Sequence, residues 1–578
     1  MSLAWAVAGA APSFADWSES FAADWVRQSA ELATSTQYFS GDQQAALDRQ
    51  LTPLTPARRA GRVALAKKAL AQLAGYVPAT LTNDERVGAA VLRWSLQSTV
   101  ATAPYDDYSF VFNQQSGAHL RYVGLLSENQ PLRRPADLAA FLSRLAQVDQ
   151  RLDEAIARAR EAAARGLLPP RFILERARTQ VQDFLAQTLD ANNTDNDIVA
   201  GLARRSARVD GLAADERQRA IDDATALVQT RVRPAYQRVL ALLDELHPRT
   251  TADAGLWRLP DGDKAYAQAL SAYTTTSLSA EQIHAVGLRE VARIEAQMDR
   301  VLAAQGRREG SVQARLVALR AELQPPADPD PRPALIQRYA DAVRDAQQRA
   351  LPLFNLVPAA PVEVRRVPAL TERTASAYYT TPAPDGSRPG IFWAPLPGPG
   401  YDMLRIRSLA VHEAVPGHHF QLALQQEQAD LPRWRQRRIF GGGSAHSEGW
   451  ALYAERLALD SGWYDGDPHA LLGALDGQLF RARRLVVDTG LHAKRWTREQ
   501  AIDYGLPAHE VERYVANPGQ ACAYMVGMLH ILALRDEAQA ALGPRFRIQD
   551  FHDAVLKTGS VPLDVLSGVV RQWVASAQ

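Results

Sequence analysis

His412-Glu413-Ala414-Val415-Pro416-Gly417-His418-His419, followed by His446-Ser447-Glu448, is the stretch around which this chain is organised. A hydrolytic zinc ion takes three protein ligands and keeps one position open for water, and a carboxylate beside that water receives its proton. His412, one of His418 and His419, and Glu448 fit the ligand roles, with Glu413 as the base. The usual H-E-x-x-H arrangement sets two imidazoles four residues apart on one helix face, but here that fifth position is Pro416. In an unbroken helix His418 would sit about 240° round from His412 and roughly 9 Å along the axis, and His419 would share its face at about 10 Å. Neither closes on one ion. Pro416 has no N–H for the His412 carbonyl, its ring clashes there, and Gly417 tolerates the dihedrals that follow. The helix is therefore expected to deform between the histidines, a two-residue bulge bringing His418 to the second ligand position. His418 is preferred over His419 because the standard motif often ends in Gly-His.

The third ligand has a matching context. Gly441-Gly442-Gly443 interrupts the chain, Ser444 is a capping residue, and Glu448-Gly449-Trp450-Ala451-Leu452-Tyr453-Ala454-Glu455 reads as the helix that follows. A lone histidine is read as a core or surface residue. Four histidines and two glutamates beside a proline that a plain helix would not keep point instead to a metal, and nine of the twelve histidines lie from His412 onward.

These motifs, together with Asp488-Thr489-Gly490-Leu491-His492-Ala493-Lys494 and Pro518-Gly519-Gln520-Ala521 with Tyr524, resemble the family known as domain of unknown function 885, from about residue 20 to the C-terminus. That family is similar in turn to the gluzincin-class helical zinc peptidases, such as Taq-type carboxypeptidases and angiotensin-converting enzymes. The resemblance implies a mainly α, large two-lobed, deep-cleft fold with a small β-sheet next to the active site, and hydrolysis of peptide bonds. It also implies that the Tyr524 segment lies at the cleft. Two departures stand out: Met525 follows the tyrosine where members often have Lys, and Leu452 occupies the place of the gluzincin aspartate four residues beyond the glutamate ligand.

At 578 residues and 47% hydrophobic content the chain buries a large core and has material for two or more lobes. Charged residues are 22% and nearly balanced at a net +1, which suggests no nucleic-acid or membrane-surface partner. The single cysteine, Cys522, excludes an internal disulfide and leaves His and carboxylate as metal ligands; it is read as a small buried residue near the cleft. No apolar run reaches the length of a membrane span. Leu3 to Ala11 are small and apolar, so residues 1–15 are read as a signal remnant or an added start, with a lean toward a periplasmic or secreted location.

Residues 16–355 are expected to form a helical scaffold lobe. Leu138, Phe141, Leu142, Leu145, Val148, Leu152 and Ile156 mark one long helix, and Ile221, Ala224, Val228, Val232, Tyr236, Val239, Leu243 and Leu246 mark another. Residues 190–197 form a polar turn, and Ser279 with Gln282 is a capping box, with His284 in the first turn of the helix it opens. Residues 325–333, with five prolines and two aspartates, are an extended surface connection. Residues 356–400 carry a small β region lining the cleft: Val362-Glu363-Val364, Ala375 to Thr380 and Ile391 to Ala394, the last two flanking the turn Pro384-Asp385-Gly386-Ser387. By the gluzincin resemblance, Gly390-Ile391-Phe392-Trp393 is a strand edge that takes a substrate backbone as an added strand, Gly390 and Phe392 included; otherwise the sheet only braces the lobes. Residues 401–578 form the helical zinc-site region.

Arg481, Arg484, Asp488 and His492 fall on one helical stripe. It is read as an Arg-Asp-His brace between helices or as a cavity wall, in which case Arg484 and His492 meet substrate, and Asp488 or Glu455 orients a zinc histidine, with His419 also supporting the centre. Arg433-Trp434-Arg435-Gln436-Arg437-Arg438 is read as a solvated helix end. Tyr524, Tyr514 and His446 are candidates to donate to the oxyanion. These residues lead to the expectation of a Zn(2+)-dependent hydrolase acting on peptides or amino-acid conjugates. The alternative is a catalytically inactive helical binding protein that retains the fold. A serine or cysteine hydrolase is disfavoured, since no G-x-S-x-G elbow occurs and Cys522 is the only thiol.

Overall fold

The computed structural model describes residues 12–188, 196–325, 328–367, 372, 376–383, 386, 388–398, 400–441 and 443–578. Outside them lie 1–11, 190–195 of the expected polar turn, Pro326 and Ala327 of the proline-rich connection, Ala375, Pro384, Asp385 and Ser387 of the expected strand and turn, and Gly442. The chain is mainly helical and forms two compact units: the residues up to Ala252 with Pro432–Phe440, and Asp253–Leu431 with Gly441–Gln578. Residues 253–355, expected with the N-terminal scaffold, thus belong with the metal-site helices, because helix Ala280–Ala304 packs along helix Pro468–Ala493.

In the N-terminal unit the apolar stripes bury as expected, with Phe141, Leu145, Val148, Leu152, Val232 and Val239 fully buried in one core. The helix boundaries differ. The first stripe is two helices, Asp137–Leu145 and Val148–Ala164. At the break Gln147 accepts from the Leu51 N–H (3.0 Å) and donates to the Arg49 carbonyl (2.8 Å). Both helices face one core, so the periodicity runs through the break. The second stripe is interrupted by a π turn, Val228–Val232, before helix Arg233–Leu246; the wider turn accommodates Pro234, which has no N–H to give. The Arg433 to Arg438 cluster is not a solvated helix end. Trp434 and Arg435 are buried, and the Trp434 indole donates to Ser18 Oγ (3.3 Å). An indole and an arginine stem carry enough apolar surface to dock despite the neighbouring charges.

In the second unit, the Ser279–Gln282 capping box opens helix Ala280–Ala304 as expected, and His284 is buried with its Nδ1 2.8 Å from Thr489 Oγ1. Strands β1 (Val362–Arg366), β2 (Tyr378–Thr380) and β3 (Gly390–Ala394) form one sheet in the order β1-β3-β2, with β3 parallel to β1 and antiparallel to β2. The central strand is therefore β3, and both its edges are taken. The substrate-strand role expected of Gly390 and Phe392 is corrected on that ground. Phe392 is fully buried against the Tyr339 ring. A Cβ at Gly390 would come within 2.5 Å of the Tyr379 hydroxyl and 2.9 Å of His419 Nδ1, so the glycine makes room for that pair.

Helix Gly443–Asp460, which carries Glu448, starts before Ser444, so Ser444 lies inside it and is not its cap. It crosses helix Ala523–Leu542 backbone to backbone: a Cβ at Gly449 would meet Gly527 Cα at 2.6 Å, and one at Gly527 would meet the Ala445 carbonyl at 2.0 Å. That approach sets Glu448 and Tyr524 on adjoining walls. Among the described residues no helix is long and apolar enough to cross a membrane. Gly527→Ala should lower stability by about 1–3 kcal/mol through overpacking and depress the thermal midpoint of this unit; an unchanged melting curve would show that the crossing tolerates a methyl group.

Candidate metal centre

Helix Ile406–Glu413 ends at the residue after His412, and helix His418–Glu427 begins afresh. The expected bulge is thus a full break, across which the Val415–Pro416 peptide is cis. The Ala414 and Val415 N–H groups both donate to the Ala410 carbonyl (3.0 and 3.2 Å), and the Gly417 N–H donates to the Val411 carbonyl (3.0 Å). A Cβ on Gly417 would lie 2.0 Å from the His412 carbonyl oxygen. Only glycine lets the chain press back against the helix it has just left. The Trp450 indole, two residues beyond Glu448, donates to the Pro416 carbonyl (2.8 Å) and ties the turn to the helix of Glu448.

As a result His412, His418 and Glu448 each place a ligand atom within 4.8 Å of the others. Glu448 Oε2 lies 3.7 Å from His412 Nε2 and 3.3 Å from His418 Nε2, and the two rings stand at 85° with centroids 5.0 Å apart. His412 Nδ1 meets Glu455 Oε1 at 2.8 Å. That carboxylate fixes the ring so that Nε2 faces the cluster. Glu455 lies two turns along from Glu448 and takes the supporting role for which Leu452 has no polar atom. Burial works against a charged His412, yet the Glu448 and Glu455 carboxylates outweigh it and hold its pKa up to about 9. Glu448 is itself held well below the usual carboxylate range: burial opposes, and the two imidazoles prevail. The field at this point favours a cation. Two Nε2 atoms and a carboxylate oxygen converging there are the donor set that a zinc ion takes, so the residues fit the group.

His412, His418, Glu448 and Glu413 line a cavity of about 590 Å³, with Tyr524, Tyr379, Arg405, Phe480, Arg481, Arg484, His509, Glu510 and Arg513 also on its walls. Glu413 is 5% exposed. Arg484 is placed by the Tyr514 hydroxyl (3.1 Å from Nε) and Glu510 Oε2 (3.2 Å from Nη2). The pair of arginines at 484 and 513 pulls Glu510 down to about 2 against its burial. Sequence reasoning did not single out Arg405, Tyr379, Phe480, His509, Glu510 or Arg513. None sits in a motif, and only the fold brings them together.

Several expected site residues are elsewhere. His419 turns away from the cluster, its Nδ1 2.8 Å from the Tyr379 hydroxyl, and burial pushes its pKa down to about 4. It is next to His418 on a helix, about 100° round. His446 lies about 200° round its helix from Glu448 and is fully buried, its Nδ1 accepting from the Val561 N–H at 3.0 Å; it is not on the cavity wall. Tyr514 sits behind the wall, donating to Glu510 (2.8 Å). His492 uses both ring nitrogens on backbone, the Leu256 N–H (3.1 Å) and the Tyr514 carbonyl (3.2 Å). Asp488 takes the Tyr266 hydroxyl (2.6 Å) and the Gly519 N–H (3.0 Å) and so anchors the Pro518-Gly519 loop and orients no metal histidine. The stripe divides along its length: the arginine end faces the cavity and the Asp488–His492 end is a brace. Cys522 is buried and its thiol pKa is pushed well up by burial and by Asp488.

Two solved structures share this fold. The "putative lipoprotein from Colwellia psychrerythraea" superposes with a TM-score of 0.89 at 32% identity, covering 97% of this chain and 99% of that one. The "putative lipoprotein of unknown function from Shewanella oneidensis" gives a TM-score of 0.72 at 19% identity, covering 97% and 100%, and supports the fold alone. No curated protein matches the chain. Residues 34–570 match the family described as "Bacterial protein of unknown function (DUF885)". With the family pattern running through both units and a 32% identical relative matched over nearly its whole length, this chain belongs to the DUF885 family.

Proposed function

We propose that this protein is a zinc-dependent hydrolase of peptide or amide bonds, on a two-lobed, deep-cleft helical scaffold of the gluzincin peptidase kind, acting on peptides or amino-acid conjugates. The observation that carries the reading is the convergence of His412, His418 and Glu448 within 4.8 Å on the wall of a cavity that Glu413 also lines. The three side chains would hold the ion, which when bound would supply Lewis acidity, acidifying water toward a pKa of about 7 and polarising the substrate carbonyl. Glu413 takes a proton from the attacking water on its carboxylate and returns it to the leaving nitrogen. The Tyr524 hydroxyl donates to the carbonyl oxygen as it gains charge. Glu455, through His412 Nδ1, keeps Nε2 free to ligate. A periplasmic or secreted location goes with this proposal, supported by the lipoprotein description of the Colwellia psychrerythraea relative.

Metal analysis of protein purified without added ions should find one zinc per chain in wild type and none in His412→Ala or Glu448→Ala. A wild type that carries no metal and takes up none when zinc is supplied replaces the hydrolase with the inactive binding protein. Glu413→Gln should keep zinc and fold while turnover of a peptide library falls by roughly 10²- to 10⁴-fold; full activity in that variant refutes the assigned base. Glu455→Gln should weaken zinc affinity by about 10- to 100-fold, read by competition with a chelator, and unaltered affinity would remove it from the centre.

A further inference from the structure

Beside the ligands, three guanidinium groups gather on one aromatic ring. Arg405, Arg481 and Arg484 lie with Cζ 5.9, 5.9 and 4.5 Å from the Phe480 centroid, and all four side chains line the cavity. Arg481 and Arg484 are 5% and 6% exposed. Each of the three arginines keeps a buried N–H without a partner: Nε of Arg405, Nε of Arg481 and Nη1 of Arg484. The carboxylates that reach the arginines are shared with other cations. Glu455 is shared between Arg481 (3.6 Å) and His412, and Glu510 serves both Arg484 (3.2 Å) and Arg513 (3.2 Å). Burial lowers the Arg481 pKa, and Arg405 and Arg484 push in the same direction against Glu455. Buried like charges with spare donors are costly unless an anion joins them.

The wall is also built to hold its shape. Arg484 is fixed by Tyr514 and Glu510 and lies 4.5 Å from the Tyr524 ring as well as the Phe480 ring. Gly477 leaves room beside Arg481 and Arg405: a Cβ there would lie 2.9 Å from Glu455 Oε2, 3.4 Å from Arg481 Nη1 and 3.6 Å from Arg405 Nη2. The cluster adjoins the metal centre directly, since the carboxylate that Arg481 approaches is the one that holds His412.

We propose that Arg405, Arg481 and Arg484 seat the terminal carboxylate of the substrate, so that this protein removes C-terminal residues from peptides or N-acyl amino acids. The proposal rests on the hydrolase reading above and names its substrate class. Planar guanidinium forks match a carboxylate in geometry as well as charge. With the terminal carboxylate held there, the bond presented to Glu413 is the amide nearest the C-terminus. Its C–N bond breaks, the acyl carbon gains the hydroxyl of water, and the leaving nitrogen takes the proton and departs as a free amino acid.

The test is calorimetric binding to zinc-loaded Glu413→Gln protein, whose zinc content is measured first. The probes are acetyl-Ala-Ala-Ala as free acid, the same tripeptide as its amide, and acetyl-Ala-Ala-Glu amide. Free acid should bind roughly tenfold to a hundredfold more tightly than either amide, and Arg405→Gln or Arg484→Gln added to this background should remove most of that gap with zinc retained. Equal affinity for acid and amide, no binding of the acid at millimolar concentration, or a gap that survives both arginine variants overturns the proposal. Binding of the glutamyl amide as tight as the acid overturns the terminal assignment in favour of a side-chain carboxylate. Wild-type turnover separates the two readings: cleavage of acid and amide at equal rates discards the anchor and keeps the hydrolase, while acid-selective binding without cleavage keeps the anchor and discards the hydrolase.

Discussion

The candidate site depends on one close approach, the return of the chain at Gly417 onto the carbonyl end of the helix that carries His412. A helix ending there leaves unsatisfied carbonyls. The chain supplies its own donors, with the N–H groups of Ala414, Val415 and Gly417 reaching back to Ala410 and Val411. A new helix can then start at His418 with its first side chain beside His412. The Trp450 indole on the Pro416 carbonyl locks this turn to the helix of Glu448, so His412, His418 and Glu448, from three helices, share one frame.

Around that frame the second unit is a set of buried charges that must satisfy one another. Arg481, Glu455, His412 and Glu448 form a run of alternating sign from the arginine wall to the cluster. Breaking a buried pair leaves an uncompensated charge, at a cost of several kcal/mol. The geometry of His412 is therefore held by electrostatics as much as by packing. Apolar support comes from the glycine crossing at Gly449 and Gly527, which brings the Glu448 and Tyr524 helices close enough to form one side of the cavity.

The sequence was legible where chemistry and chain are local. A proline and glycine between histidines forbade a straight helix, and the break falls there. Glu455 could be named as a partner because it shares a helix with Glu448, and Arg484 because its stripe was amphipathic in the wrong sense. Where the outcome depended on which face of an element meets which neighbour, local signals misplaced residues. His446, two residues from Glu448, is carried by helix rotation to the Val561 N–H, while Asp488 and His492, one and two turns beyond Arg484, take the bracing role that was one of two readings of their stripe. Strand order had no local signal either. Nothing in Gly390-Ile391-Phe392-Trp393 says that β1 pairs along its other side.

By itself the sequence determined the helical class, the family, that the helix deforms between His412 and His418, and the kind of chemistry that two imidazoles and two carboxylates can perform, because these follow from backbone stereochemistry and side-chain type. Only the tertiary structure decided that His418 and not His419 joins the cluster, that Glu455 holds His412, and that Arg405, Arg481 and Arg484 meet around Phe480. These pairings join residues on different helices or select one face of a helix. Long-range packing sets them, and it leaves no pattern in a local stretch of chain.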